Sequence, residues 1–138
     1  MKRPEAGEVF RYSFLWKRER MQGETEGRKV RPTCVAVTMQ LKAGETQLFI
    51  VPITTRPPAP DRLALSVPPL EAKRAGLDAA KPCWIMLDEL NFDIFERSYD
   101  FEDRTPLGAF GRSFTAQVKR LVLAAAKSGS AALIKRTD

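Results

Sequence analysis

The sequence has no histidine among its 138 residues. That absence removes whole classes of chemistry. Ser-His-Asp and Cys-His nucleophile systems, HExxH zinc proteases and histidine-based ribonuclease mechanisms all need an imidazole. Any catalysis has to run on Arg, Lys, Asp, Glu, Ser, Thr or Tyr. Cysteine is scarce too. Cys34 and Cys83 form no CxxC pair and cannot make a four-ligand zinc site without histidine. Each sits in an apolar run (VRPTCVAV and KPCWIML) and reads as a small buried residue in a reducing compartment. No stretch approaches the ~20 apolar residues of a membrane span. The opening MKRPEAGEVF carries Lys2 and Arg3 with no apolar core behind them, unlike a signal peptide. These absences predict a cytoplasmic protein with no membrane partner, no metal and no cofactor.

What remains is ordinary in size and composition. The chain is 43% hydrophobic and 29% charged, long enough for one domain with its own core. Residues 7–16 (GEVFRYSFLW) alternate, with Phe10, Tyr12, Phe14 and Trp16 on one face and Val9, Arg11, Ser13 and Leu15 on the other. Period two predicts a strand. Residues 17–29 (KRERMQGETEGRK) have no apolar period and predict a long exposed loop. Arg31-Pro32 opens a second strand over residues 33–41. A turn at 42–46 leads to a third strand over 47–54, completing a hairpin. Residues 56–61 (RPPAPD) break regular structure. A short strand at 62–67, a helical turn or two at 69–75 stopped by Gly76, and a buried strand at 83–88 follow. Residues 91–103 (NFDIFERSYDFED) resist assignment. From 113 to 127 the period changes to helical, with Phe114, Val118, Leu121, Val122 and Ala125 on one face. An edge strand at 131–134 closes the chain. Many short strands and one real helix predict a mostly β fold with α, a small SH3-like antiparallel barrel with a C-terminal helix (α+β). An open α+β sheet is the alternative.

Charge is segregated. The chain carries a net +6. Residues 1–31 hold nine Lys and Arg against five Asp and Glu, a net of +4, whereas residues 88–104 hold seven acids against two Arg, a net of −5. Modest basicity is compatible with a nucleic-acid partner, though for charge alone a solvated charged surface is the better account.

The order of segments resembles the PemK/MazF-like toxins of type II toxin–antitoxin systems. Gly7-Glu8-Val9-Phe10 matches their opening strand. Glu26 through Arg31-Pro32, followed by Cys34-Val35-Ala36-Val37, matches their charged loop and the β-rich run after it. Val51-Pro52-Ile53-Thr54-Thr55 matches a Pro-Ile-Thr-like strand end, and Ile85-Met86-Leu87-Asp88-Glu89 an apolar strand ending in an acidic pair. The resemblance covers roughly residues 7–91 of a single domain. The first loop is longer here, Lys29-Val30 replaces the usual small residues before the arginine, and residues 91–107 and those beyond 127 do not match.

The resemblance implies a metal-independent endoribonuclease, an mRNA interferase that cuts single-stranded RNA to 2′,3′-cyclic phosphate and 5′-hydroxyl ends. It implies a homodimer neutralised by a cognate antitoxin protein. Arg31 takes the family's catalytic arginine position, Thr54 its threonine position, and Glu26 its acidic position. Guanidinium suits the first role, since it stays charged and forks onto phosphate oxygens as charge builds on them. Lys17, Arg18, Arg20, Arg28, Lys29, Thr55 and Arg56 are the RNA-binding candidates, with Arg28 and Lys29 also placed to perturb Arg31. Trp16 and Trp84 read as core or interface anchors, with Trp16 also placed to stack a base. Asp88 and Glu89 read as strand-end residues shaping the site or the dimer. Competing readings are a non-catalytic barrel, such as a gyrase-directed toxin or nucleic-acid-binding regulator, and a general adaptor.

Overall fold

The computed structural model describes residues 2–23 and 29–136. Eight strands, three helices and a 3-10 turn form one mostly antiparallel, barrel-like α+β fold. The strands are β1 Glu8–Tyr12, β2 Arg31–Gln40, β3 Thr46–Thr54, β4 Ala64–Ser66, β5 Trp84–Met86, β6 Glu89–Ile94, β7 Gly108–Ala109 and β8 Ala132–Lys135. The helices are α1 Lys17–Met21, α2 Pro69–Arg74 and α3 Arg112–Lys127, and Phe95–Arg97 make the 3-10 turn. The expected class, small α+β with a C-terminal helix, is the one observed.

The β2–β3 hairpin is the spine. β1 pairs with β2, and β7 with β1. On its other edge β3 takes two partners. Gln47 to Ile50 pair with β6, while Ile53 and Thr54 pair with β5. β8 then adds beside β6 in parallel. Two side-chain clusters occupy the two faces. Along β3, Val51 and Ile53 belong to one and Leu48 and Ile50 to the other, as a period of two requires. β2 breaks that parity once. Its register slips between Val35 and Val37, leaving Ala36 as an extra residue, so Ala36 and Val37 both face the first cluster. Helix α3 covers that cluster with Phe114, Val118 and Val122, the predicted face, and Gly129 (φ +78°) ends it.

Gly7 sits at φ +94°, and a Cβ there would collide with the Thr115 hydroxyl of α3. A glycine is needed here for two reasons, backbone hand and a close helix approach. Both cysteines are free and buried, as expected. Burial pushes the Cys34 thiol up to about 12.

Two expectations are corrected. The charged stretch after Trp16 does not begin as a loop: residues 17–21 form α1. Its first amide, Lys17 N–H, donates to Glu89 Oε1 at 2.6 Å, and the Trp16 N–H donates to Glu19 Oε1 at 3.1 Å. The helix is nucleated by a carboxylate from β6, a contact no local pattern reveals. The first strand also stops at Tyr12 rather than Trp16. Residues 13–16 leave the ladder yet stay inside, and their aromatic side chains keep the predicted face: Phe10, Tyr12, Phe14 and Trp16 share one cluster.

Candidate functional site

The open end of the β2–β3 hairpin, away from its turn at 41–45, carries the candidate site. The ladder pairs Thr33 with Pro52, and two more steps of the same register bring Arg31 across from Thr54. Both residues are half-buried. Both line a cavity of about 530 Å³ whose walls include Trp16, Arg18, Lys29, Thr55, Arg56 and Arg62. A second lobe of about 370 Å³ shares Lys29, Arg31, Thr54 and Thr55 with the first. Its lining is more apolar, with Val30, Pro32, Ile53, Leu77 and Cys83, and also includes Arg11, Asp78 and Lys81. Arg31 and Thr54 thus sit on the wall between a basic lobe and a mixed one.

Six of the candidate residues meet here: Arg18, Lys29, Arg31, Thr54, Thr55 and Arg56. Lys17 and Arg20 do not. They are exposed on α1 and line neither lobe. Glu26 and Arg28 lie outside the described residues. The prolines at 57 and 58 form part of the wall, so the stiff 56–61 segment shapes the cavity. The Thr54 hydroxyl accepts the Arg56 N–H at 3.1 Å, which leaves its own O–H free to donate.

The electrostatics favour an anion. Arg18, Lys29, Arg31 and Arg56 make no salt bridge with a described residue. The Arg31 guanidinium lies over the Trp16 ring, 5.1 Å from its centroid, and Arg18 lies 5.2 Å from the same centroid. Burial lowers the Arg31 pKa, Glu19 pulls it back up and Arg18 lowers it again. The cation expected to perturb Arg31 from the sequence was Arg28 or Lys29; the one described here is Arg18, brought in by α1. The Nε–H of Arg31 is buried and has no hydrogen-bond acceptor among the described residues. Trp16 is only 6% exposed, so the expectation of an anchor is met and its ring is not open for base stacking.

Arg62 escaped the sequence reading. It lines the basic lobe and is gripped by Asp88 at 2.6 and 2.9 Å and by Glu89 at 2.8 Å. Its hydrogen bond to Asp88 raises its pKa, against a lesser effect of burial. The Asp88-Glu89 pair therefore shapes the cavity wall, as expected, by fixing one arginine and seating α1. The only signal in the sequence was an arginine following the proline break and an acid pair ending an apolar strand.

Among the described residues no three of His, Cys, Asp or Glu are grouped to hold a metal ion. No helix among them is long and apolar enough to cross a membrane. No family model matches the chain, and comparison with curated proteins finds no match.

Proposed function

We propose that the protein is an endoribonuclease that cuts single-stranded RNA by attack of a ribose 2′-hydroxyl on the adjacent phosphorus, acting as the toxin of a toxin–antitoxin pair in the cytoplasm. The observation that carries this reading is Arg31. It is a guanidinium on the wall of a basic cavity, across from Thr54, with no described carboxylate salt-bridged to it.

In this reaction the 2′-oxygen bonds to phosphorus and the bond from phosphorus to O5′ breaks. The products are a 2′,3′-cyclic phosphate and a 5′-hydroxyl. One proton leaves the 2′-hydroxyl and one reaches O5′, so no co-reactant is consumed. Negative charge grows on the phosphoryl oxygens between these events. A pre-placed guanidinium stabilises it without reorganising, and the Thr54 O–H is a second donor on the same wall. Glu26 is the base for the 2′-proton by the resemblance. Arg18, Lys29 and Arg56 carry the flanking phosphates, and the more apolar lobe is wide enough for a base beside them. A homodimer and an antitoxin that covers the basic cavity belong to the same proposal, since an extended acidic chain can wrap such a surface.

The test is incubation of a long single-stranded RNA with purified protein in EDTA, beside Arg31→Ala and Thr54→Ala. Cleavage at a short recurring sequence by the parent is expected, with Arg31→Ala at least about a hundred-fold slower, the scale for losing one oxyanion donor. Intact RNA in the presence of folded protein would reject the enzyme. Binding without cleavage would leave a nucleic-acid-binding regulator in its place.

A further inference from the structure

A guanidinium in a cavity wall is commonly held by carboxylates. Arg62 shows that arrangement, with three of its contacts spent on Asp88 and Glu89. Such a grip fixes the side chain and cancels its charge. Arg31, in the same cavity, is held differently. We infer that the Trp16 indole is the positioning residue for Arg31, fixing the guanidinium through its ring face and leaving its charge and its terminal N–H donors available to a phosphate. The effect on cleavage rests on the function proposed above; the geometric claim does not.

The indole face attracts a cation through its quadrupole and accepts no N–H in the ring plane. A guanidinium 5.1 Å from the ring centroid therefore gains position without losing donors. That is useful only if the ring itself cannot swing. Trp16 packs edge-to-face against Phe14, with centroids 5.2 Å apart and planes at 70°. Its own amide is bound by Glu19, and the next by Glu89. The residue before it, Leu15, is bracketed by one side chain: its N–H donates to Asn91 Oδ1 at 2.9 Å and its carbonyl accepts Asn91 Nδ2 at 2.8 Å. Arg136 donates to the same Asn91 oxygen at 2.9 Å and to the Ser13 carbonyl at 2.7 Å. Residues 13–16 have left the β1 ladder, so these side chains supply the hydrogen bonds that a neighbouring strand would. The backbone that carries the ring is thus fixed, Phe14 packs against the ring, and Arg31 lies over it.

The first measurement is proton–nitrogen NMR of the full chain, with Arg31 assigned by the loss of its signals in Arg31→Lys. The ring current should move the Arg31 side-chain protons clearly upfield. Random-coil positions would overturn the inference whatever the cleavage assay gives. Trp16→Phe keeps an aromatic face, and Trp16→Leu keeps bulk without one; thermal melting shows that each is folded. We expect the leucine variant to lose the upfield shift and to fall about ten-fold in kcat/KM, with phenylalanine within about three-fold of the parent. Leucine and phenylalanine variants that behave alike would overturn the inference. If the leucine variant does not fold, the parent's shifts and the phenylalanine variant decide. Affinity for a short single-stranded RNA closes the cycle. Trp16→Leu should weaken the parent but add little to Arg31→Ala, whereas equal losses in both backgrounds would mark a merely structural tryptophan. A parent that shows the ring shift but does not cut RNA would reject the proposed function and leave this positioning intact.

Discussion

The basic cavity draws Arg18, Lys29 and Arg31 from a segment of net positive charge, and the stretch at 88–104 is net negative, but the fold treats the two in opposite ways. All seven acids of that stretch have partners. Asp88 and Glu89 hold Arg62, Asp93 accepts the Tyr12 hydroxyl, and Glu96 takes the Thr46 amide and hydroxyl. Asp100 pairs with Arg136, Glu102 with Arg11, and Asp103 accepts the Thr105 N–H. The cavity cations Arg18, Lys29, Arg31 and Arg56 have no salt bridge with a described residue. One set of charges is consumed in building the protein, and the other is left without an ion pair to a described residue. Net charge along a sequence does not distinguish these uses, because pairing is a property of the fold.

The largest test of that contrast falls on the consumed side. Arg136 is 1% exposed at its side chain and serves Asp100, Ser13 and Asn91 together. Arg136→Met should cost about 3 kcal/mol, the range for removing one partner of a buried ion pair, as read by urea denaturation. A loss below about 1 kcal/mol would mean the network is ornamental. Glu102→Gln marks the other end of the scale. Its pair with Arg11 is half-exposed, and a change under about 0.5 kcal/mol is expected.

Alkaline pH separates the two regions next. Burial, then the neighbouring Asp93, raise the Tyr12 pKa well above its ordinary 10.0, and burial takes the Cys34 thiol from 9.0 to about 12. Both groups are held neutral in the folded state. Their contribution is whole below the unfolded pKa and is lost as pH rises through the folded one. For Cys34 that window runs from 9.0 to about 12. Stability should drop by about 2 kcal/mol between pH 8 and 10.5 from Cys34 alone, and Cys34→Ala should flatten that part of the curve. RNA affinity should stay level from pH 7 to 9, because the cavity's arginines remain charged. A fall in affinity inside that range would place a titrating group in the cavity.

The smallest effect sharpens the picture of the open side. Lys29→Ala and Arg56→Ala should leave stability unchanged within about 0.5 kcal/mol. Each should lower the slope of log affinity against log salt by about 0.7, the single-strand value per phosphate contact. Lys17→Ala, outside the cavity, should leave the slope alone. If all three variants behave alike, binding is diffuse rather than seated in the cavity.

How much of this was legible depends on which interactions made each element. The alternation of Phe10, Tyr12, Phe14 and Trp16 was readable because a period of two is local, and so was the helical face of Phe114, Val118 and Val122. β6 was not readable. Its inward positions include Asn91 and Asp93, polar residues at 0% and 1% exposure, so a hydrophobicity pattern sees no strand there. Helix α1 was hidden for a related reason, since its first amide is bound by Glu89 from 72 residues away. At the site, Arg31 and Thr54 were found through resemblance and the hairpin register, which joins them. Arg62 was missed, because what makes it a wall residue is the grip of Asp88 and Glu89. Trp16 was rightly expected to be an anchor, but its partners, two cations sharing one ring, follow from α1 and could not be read beforehand.

The bracket that Asn91 places around Leu15 has a consequence in time. The polypeptide is made from its N-terminus, and Arg31 leaves the ribosome long before the groups that orient it. Trp16 cannot be locked until Asn91 has emerged, nor fully backed until Arg136 has. At about 5–20 residues per second, the interval from Arg31 to Arg136 is on the order of 5 to 20 seconds. Throughout it the nascent chain carries the cations of the cavity without the frame that aims them. A site assembled in this order stays unaimed until the last strand is in place.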